Sequence, residues 1–362
     1  MRRLVGVVAA LACVVGGGVS AGAASAARSA GSGGSFTEHA FAATATTPAR
    51  DYWLYLPPGR SRAPRPLLVF LHGCNLSAEQ SAQITRFNDL AAQQGFVVVY
   101  PQQTVAQNSS APVTDGNGIG CWNWFLPDDQ QRDAGEPGAI AGITRHIAQT
   151  QNVDPRRIYV EGISAGADMA VILGADYPDL YAAVGALAGC AYRTCADATG
   201  ALTNAAMGAH ARVVPMFVEN GTADTLNNVA MAEGLVQSWL GADDLADDGR
   251  PDASVPRQPA ESDNYAFDQT PQPGSGDVCI HNDTLTCPGG LAGFQGSYPY
   301  TVQRYDDAHG CDVLDFWVIH GMEHAYPDAP GDGPYTDPLG PDIKTAAWNF
   351  FAAHPMGAGD CR

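Results

Sequence analysis

Two short runs of uninterrupted apolar residues constrain the fold of this chain most. They lie at residues 66–71 and 96–100, and such runs are typical of strands that are covered on both faces. Between them, Ser77 can cap a helix that runs to Gln94 and stops at Gly95. Buried strands that alternate with helices in this way predict a parallel sheet.

The same alternation continues to the end of the chain. Further strands are predicted at residues 50–56, 157–161, 182–187, 213–218, 301–305 and 313–320, and further helices at 137–149, from the Gly-Ser-Gly turn to about 176, and at 342–351. We therefore predict one α/β domain over residues 50–362, with a mostly parallel, doubly wound sheet and helices on both faces. Residues 27–49 are predicted to be a leader and the approach to the first strand. Residues 241–298 lose this periodicity and are predicted to form a surface insertion.

The amino terminus and the charge balance limit the compartment and the partners. Arg2 and Arg3 precede an apolar run and an Ala-rich stretch that ends at Ala26, which predicts a secretory signal peptide over residues 1–26. The run is too short and too rich in glycine for a membrane anchor, so we expect a secreted, extracellular protein. The net charge is −19 and no basic stripe is present, which argues against nucleic acid and membrane as partners. We expect a monomer.

The cysteine count favours disulfides over metal ligands. Removal of Cys13 with the signal peptide leaves eight of nine cysteines, an even number in an oxidising compartment. Two pairs are close enough in sequence to close small loops, namely Cys190 with Cys195 and Cys279 with Cys287. The cysteines that remain for long-range pairs are Cys74, Cys121, Cys311 and Cys361. We predict neither a metal nor another cofactor.

An acidic cluster at the start of the predicted insertion raises a calcium hypothesis. Its members are Asp243, Asp244, Asp247, Asp248 and Asp252. Carboxylates are suitable calcium ligands, but the spacing does not follow the EF-hand pattern. A solvated loop is the simpler interpretation.

The candidate nucleophile is Ser164, in the motif Gly162-Ile-Ser-Ala-Gly166. The motif lies between a predicted buried strand and a predicted helix, which is the context of a nucleophile elbow. Glycine is expected at both ends because the sharp turn leaves no room for a Cβ atom. The same pattern at residues 18–22 lies in the signal peptide and lacks this context.

A serine hydroxyl needs a histidine base and a carboxylate that orients it. In an α/β-hydrolase the order along the chain is serine, acid, histidine. Asp224 follows the strand predicted at 213–218, and His324 follows the last predicted strand, so both fit this order. Other acids and bases remain open, namely Asp312, Asp315 or Glu219 as the acid and His309 or His320 as the base.

The oxyanion formed by nucleophilic attack needs two preorganised donors. The backbone N–H of Ala165, directly after the nucleophile, is one candidate. The N–H of Cys74 is the other, because residues 71–75 end a buried strand in a glycine turn. His72 lies far upstream of the expected triad order and is predicted to be a structural loop residue. A nucleophilic role for Cys74 is the weaker interpretation, since a disulfide is expected.

Together these motifs resemble the secreted polyhydroxybutyrate (PHB) depolymerase family of esterases, which is similar to feruloyl and acetylxylan esterases. The motifs are Leu71-His-Gly-Cys74, Cys121-Trp-Asn-Trp-Phe125, Gly162-Ile-Ser-Ala-Gly166, Asn220-Gly-Thr-Ala-Asp224 and Gly321-Met-Glu-His324. The resemblance implies an α/β-hydrolase fold in which Ser164, Asp224 and His324 are nucleophile, acid and base. It also implies oxyanion donors at Cys74 and Ala165. It places Trp122, Trp124 and Phe125 near the acyl cleft, and with Asn123 these are the predicted substrate-binding residues.

The sequence departs from the family pattern close to the site, at Asn220, Glu323 and the pair Ala167-Asp168. These departures affect the substrate more than the reaction type. We therefore predict a secreted serine esterase that hydrolyses PHB or short hydroxyalkanoate polyester through an acyl-enzyme. A feruloyl or acetylxylan esterase is the alternative, followed by a secreted peptidase and a non-catalytic binding protein.

Overall fold

The computed structural model describes residues 33–59, 61–105, 116–265, 298–331 and 333–357. The strands are β1 (Ser35–Phe41), β2 (Arg50–Leu56), β3 (Arg65–Leu71), β4 (Val97–Pro101), β5 (Val153–Ile163), β6 (Ala183–Leu187), β7 (Met216–Gly221), β8 (Glu261–Tyr265), β9 (Tyr300–Asp306), β10 (Asp312–Ile319), β11 (Tyr326–Pro327) and β12 (Thr336–Asp337). The helices are α1 (Ala78–Thr85), α2 (Phe87–Gln94), α3 (Gly135–Thr150), α4 (Ala165–Asp176), the short α5 (Tyr192–Cys195), α6 (Ala201–Met207), α7 (Val229–Asp248) and α8 (Ile343–Ala353).

Ten of these strands form one sheet, in the order β1-β2-β4-β3-β5-β6-β7-β10-β9-β8. The six central strands, from β4 to β10, are parallel, and the two outer strands on each side are antiparallel to their neighbours. The predicted mostly parallel sheet is therefore confirmed. The carboxyl ends of the central strands meet at one edge, where loops can converge on a common site.

Helices cover both faces of the sheet, as predicted. Helices α3, α4 and α7 bury apolar side chains such as Met169 and Trp239 against one face. Helices α1, α2 and α8 cover the other face, where Trp348 of α8 stacks on Phe96 with ring centroids 3.6 Å apart. Because both faces are covered, the central strands are apolar along nearly their whole length.

The helix predicted from Ser77 to Gln94 is two helices. Arg86 adopts a left-handed conformation with φ of 54°, and its N–H bonds the carbonyl of Ala82, which ends α1. The guanidinium group of Arg86 donates to the backbone carbonyl and to the carboxylate of Asp328, at 2.8 and 2.7 Å. Arg86, at the break between α1 and α2, thus holds the distant loop that contains Asp328 on this face of the sheet.

Two other boundaries differ from the prediction. Strand β1 lies in the predicted leader and pairs with β2 along its full length, but most of its side chains are exposed, so no apolar period marks it. Helix α7 continues to Asp248, so the predicted start of the insertion at residue 241 is wrong. Residues 266–297 of the predicted insertion lie outside the described residues.

Members of the acidic cluster accept hydrogen bonds from other segments of the chain. Asp243 accepts a hydrogen bond from the N–H of Val214 at 2.9 Å, and Asp244 accepts one from the Ser254 hydroxyl at 3.1 Å. The part of the chain that the structure describes contains no group of three or more His, Cys, Asp or Glu side chains that could hold a metal ion. The predicted solvated loop is wrong for most of the cluster, because its members up to Asp248 lie in α7, where Asp243 and Asp244 are buried.

Two disulfides are present among the described residues, Cys74–Cys121 and Cys190–Cys195. The second confirms a predicted local pair, and the first joins two cysteines that were assigned to long-range pairs. Cys311 is also disulfide-bonded. The predicted signal peptide, the predicted Cys279–Cys287 pair and Cys361 lie outside the described residues. Within those residues, no helix is both long and apolar enough to cross a membrane.

Candidate active site

Ser164 occupies a sharp turn between β5 and α4. Its φ and ψ are 58° and −127°, a conformation that L-residues rarely adopt. A Cβ atom at Gly162 would overlap the carbonyl of Gly166, and one at Gly166 would overlap the carbonyls of Leu71 and His72. The two glycines are therefore required by close backbone contacts, in agreement with the sequence prediction for a nucleophile elbow.

Asp224 and His324 form a hydrogen-bonded pair at the ends of neighbouring strands. The Nδ1 atom of His324 lies 2.7 Å from Oδ2 of Asp224. The other carboxylate oxygen of Asp224 accepts the N–H groups of Leu226 and Asn227 at 2.8 and 2.9 Å. The side chain of Asp224 is buried and that of His324 is 11% exposed. Asp224 is thus fixed in place, and it holds the imidazole with Nε2 free to act.

One cavity of about 170 Å³ brings the candidate groups together. Its walls are formed by Gly73, Cys74, Asn75, Leu76, Ile163, Ser164, Leu226, His324 and Tyr335. Ser164 and His324 thus share one chamber with Cys74. Ala165 is the first residue of α4, so its N–H has no acceptor within the helix. The predicted nucleophile, the predicted base and Cys74 therefore border the same space, and Ala165 directly follows the nucleophile.

The alternative acids and bases lie elsewhere. The imidazole of His320 bonds the hydroxyl of Thr301 at 2.8 Å, and His309 lies in the exposed turn before β10. Asp312 and Asp315 are on β10, away from the cavity wall. Glu219 is buried within β7. Of the acids considered, it is Asp224 that the structure pairs with His324.

His72 is buried beneath the oxyanion loop. One ring nitrogen is 2.8 Å from the carbonyl of Gly73, and the other accepts the N–H of Gln103 at 3.0 Å. Burial lowers the pKa of His72 to about 4, so the ring is neutral at neutral pH. These contacts agree with the structural role predicted for His72.

The motif at residues 121–125 contacts the predicted oxyanion loop, residues 71–75, from the protein interior. Trp122 and Asn123 are fully buried, and the Trp122 indole donates to the carbonyl of His72 at 3.1 Å. Neither side chain lines the cavity, and their position near the acyl cleft stays a prediction. Phe125 is 45% exposed and packs edge-on against the half-buried Trp124. Neither lines the cavity, and their contact with a longer substrate stays a prediction.

A buried polar network that sequence reasoning missed holds this motif in place. Glu136, in the first turn of α3, accepts hydrogen bonds from Arg50 at 2.9 Å, from the N–H of Asn123 at 2.8 Å and from the amide of Gln103. The amide of Gln103 also donates to the carbonyl of Cys121, the cysteine bonded to Cys74. Glu136 thereby connects strand β2, which carries Arg50, to the predicted oxyanion loop. The sequence signal was weak, since an acid at a helix start is usually exposed.

Replacement of Glu136 with Gln is expected to destabilise the protein by about 3 kcal/mol, because it leaves the buried guanidinium of Arg50 without its counter-charge. Urea unfolding followed by tryptophan fluorescence measures this loss. The control Asp179→Asn breaks the partly exposed pair with Arg132 and is expected to cost about 1 kcal/mol or less. Equal losses of unfolding free energy in the two variants would contradict a special contribution of the Glu136–Arg50 pair to stability.

Tyr335 and Asn75 are further wall residues that the sequence did not indicate. The Tyr335 ring lies edge-on to His324, with centroids 6.0 Å apart, and its hydroxyl accepts a hydrogen bond from the Asn75 amide at 3.5 Å. Both residues have positive φ angles, 56° and 59°. Tyr335 comes from an irregular segment after β11, where no period or motif marks a site residue.

A nucleophile turn between a parallel strand and a helix, with the acid and the histidine at later strand ends of the same sheet, defines an α/β-hydrolase. A solved structure of an acetyl xylan esterase from Aspergillus awamori agrees with this fold. It matches with a TM-score of 0.57 and 16% identity, over 83% of this chain and 94% of that chain. Sequence comparison gives the finer assignment. Residues 50–242 match the family described as "Esterase PHB depolymerase", and the chain belongs to this family.

Two relatives of this chain are named as a polyester depolymerase and an acetylxylan esterase. The chain is 30% identical over 277 residues to "Poly(3-hydroxyalkanoate) depolymerase C" of Paucimonas lemoignei, covering 76% of this chain and 58% of the relative. It is 34% identical over 141 residues to an "Acetylxylan esterase" of Coprinopsis cinerea, covering 38% of this chain and 34% of the relative. The chain thus spans about a third to three-fifths of the length of these relatives.

Proposed function

We propose that the protein is a secreted serine esterase that works through an acyl-enzyme. The observation that carries this proposal is the Asp224–His324 pair, whose histidine shares a cavity with Ser164 at its strained turn. In an esterase site, the base must reach the nucleophile and must itself be oriented by an acid. Family membership and the esterase names of the relatives support the same reaction class.

The proposed reaction has two symmetrical halves. The Ser164 oxygen attacks the ester carbonyl while Nε2 of His324 accepts the hydroxyl proton, and the N–H groups of Cys74 and Ala165 stabilise the oxyanion. The bond to the leaving alcohol then breaks, and His324 returns the proton to the alcohol oxygen. Water attacks the acyl-enzyme in the same way and releases the acid. Asp224 stabilises the imidazolium that forms in each half.

The substrate we propose is PHB or a short hydroxyalkanoate ester chain. Leu76, Ile163 and Leu226 give the cavity apolar walls, and no Lys, Arg, Asp or Glu is among the described residues that line it. An uncharged acyl group is therefore compatible with the cavity, whereas an anionic one would find no fixed cation. The name of the Paucimonas relative supports this substrate class.

A feruloyl or acetylxylan esterase is the second candidate. The observation that favours it is the hydrogen-bonded Asn75–Tyr335 pair, which places an amide and a phenol group at the cavity wall. Such groups can bind the hydroxyls of a sugar or the ring of a phenolic acid. Secretion is part of the proposal for either substrate, and the disulfides support an oxidising compartment.

Purified protein is expected to release soluble 3-hydroxybutyrate monomer or dimer from amorphous PHB. Mass spectrometry of the supernatant detects these acids, with p-nitrophenyl butyrate hydrolysis as a check that the enzyme is active. The same preparation is offered methyl ferulate and acetylated xylan in parallel. Butyrate ester cleavage without release from the polymer would contradict the polyester proposal, and activity on ferulate or acetylxylan would then identify the second candidate.

A further inference from the structure

Two buried acids lie on one face of the sheet beneath the candidate site. Glu161 is on β5 and Glu219 is on β7, and both are buried, with β6 between the two strands. Glu161 pairs in register with Gly185 of β6. A Cβ atom at Gly185 would lie 2.7 Å from Cγ of Glu161, so the glycine leaves room for the Glu161 side chain to lie across β6. The two carboxyl groups therefore face a common apolar layer.

Within the described part of the chain, neither acid forms an ion pair, and three of their four carboxyl oxygens lack a hydrogen-bond partner. Among the residues that the structure describes, neither carboxyl oxygen of Glu161 has a hydrogen-bond partner, and the same holds for Oε1 of Glu219 and the hydroxyl of Tyr326. Glu161 lies beside Phe70 of β3 and Gly185 of β6, and Glu219 beside Leu187 of β6 and Trp317 of β10. Tyr100 of β4, Tyr326 of β11 and Phe351 of α8 also lie near the acids. None of these carries a positive charge. A charged carboxylate without any partner is very costly in such a place.

We propose that Glu161 and Glu219 are held as neutral carboxylic acids beneath the site, so that Asp224 alone among these three acids carries a negative charge. Neither residue lines the cavity, so neither is a catalytic residue. Their protonation follows from their surroundings alone. Their effect on His324 rests on the proposed esterase function.

The expected proton affinities agree with this arrangement. Burial raises the pKa of Glu161 to about 8. Burial, followed by the negative charge of Asp224, raises the pKa of Glu219 well above its ordinary value. An ionised Glu219 would place a second negative charge near Asp224 and would stabilise the protonated form of His324. The histidine would then be a poorer base at neutral pH.

Infrared spectroscopy in D₂O tests the protonation directly. At about pH 6, well above the ordinary pKa of an exposed glutamate, the wild-type protein is expected to show the C=O stretch of protonated carboxyl groups. The variants Glu161→Gln and Glu219→Gln should each lose part of this band. The matched control Glu38→Gln removes an exposed acid on β1 and should leave it unchanged. A wild-type spectrum without the band would overturn the proposal.

Thermal unfolding gives an independent test of Glu161. The folded state keeps its proton up to a pKa of about 8, whereas the unfolded chain releases it near 4.5. The unfolded state therefore binds fewer protons in this window, and stability falls as the pH rises through it. Glu161→Gln should flatten this fall, so that its Tm relative to wild type rises by at least about 3 °C across the window. Parallel curves for the two proteins would contradict a protonated Glu161.

The pH dependence of kcat/KM tests whether Glu219 is charged. Because protonated Glu219 is already neutral, Glu219→Gln should leave the acid limb of the kcat/KM profile for a chromogenic ester at the same pH as in wild type. A shift of that limb to lower pH would mean that Glu219 is charged in the wild-type protein, and would overturn the proposal. If the wild-type protein cleaved no ester, the proposed function would fail, while the infrared and thermal tests would still decide the protonation.

Discussion

Replacement of Ser164 with alanine is expected to lower kcat for p-nitrophenyl butyrate by about 10⁴–10⁶-fold. The serine oxygen is the group that would form the acyl-enzyme, and among the wall residues that the structure describes only Tyr335 carries another hydroxyl. The strained turn is held by Gly162 and Gly166 and not by the serine side chain, so the fold should be retained. Steady-state kinetics and far-UV circular dichroism measure the two effects.

A fluorophosphonate probe separates loss of the nucleophile from loss of the fold. Wild-type protein should be labelled at Ser164, whereas Ser164→Ala should not be labelled at all. The control Ser262→Ala removes an exposed hydroxyl on β8 and should keep full labelling and full kcat. Retained turnover in Ser164→Ala, with the protein folded, would exclude Ser164 as the nucleophile.

Asp224→Asn is expected to lower kcat by about 10⁴-fold while the fold is kept. The side-chain carbonyl of asparagine can still accept the N–H groups of Leu226 and Asn227, so its amide would face Nδ1 of His324. An amide donor there stabilises the tautomer whose Nε2 carries the proton, and that tautomer cannot accept the proton of Ser164.

The control for this variant is Asp312→Asn, at one of the acids that the sequence left open. Asp312 lies at the start of β10, whereas His324 follows the end of that strand, so its replacement should change kcat by less than about threefold. The measurement is kcat for the same butyrate ester. A large loss in Asp312→Asn together with a small loss in Asp224→Asn would reverse the assignment of the acid.

The sheet and the nucleophile turn could be predicted from the sequence because local patterns determine them. Continuous apolar runs mark the strands at 67–71 and 97–100 as buried on both faces, and the structure covers them with helices. The two glycines around Ser164 predict a crowded turn, and their neighbours in space are backbone carbonyls. The pairing of His324 with Asp224 agrees with the order of these residues along the chain.

The remaining features depend on contacts between distant segments. The break at Arg86 reflects its bonds to Asp328, which lies 242 positions away. Glu136 meets Arg50 across 86 positions, and no local pattern distinguishes it from an exposed helix-start acid. The family resemblance implies a position near the acyl cleft for Trp122, and no sequence pattern indicates that its buried indole donates to the carbonyl of His72. A side chain's type limits its chemistry, but tertiary packing decides which surface it meets.

The parallel pairing of β7 with β10 has a consequence for how this protein can change. Asp224 and His324 are 100 positions apart, yet they follow the ends of adjacent strands, where Gly221 pairs with Ile319. The intervening chain leaves through α7 and returns as β8 and β9 on the outer side of β10. A loop can therefore be lengthened, trimmed or exchanged between α7 and β9 while the strand ends that carry the acid and the histidine stay together. Changes in chain length at this edge of the sheet can therefore alter substrate preference without altering the acid–histidine pair.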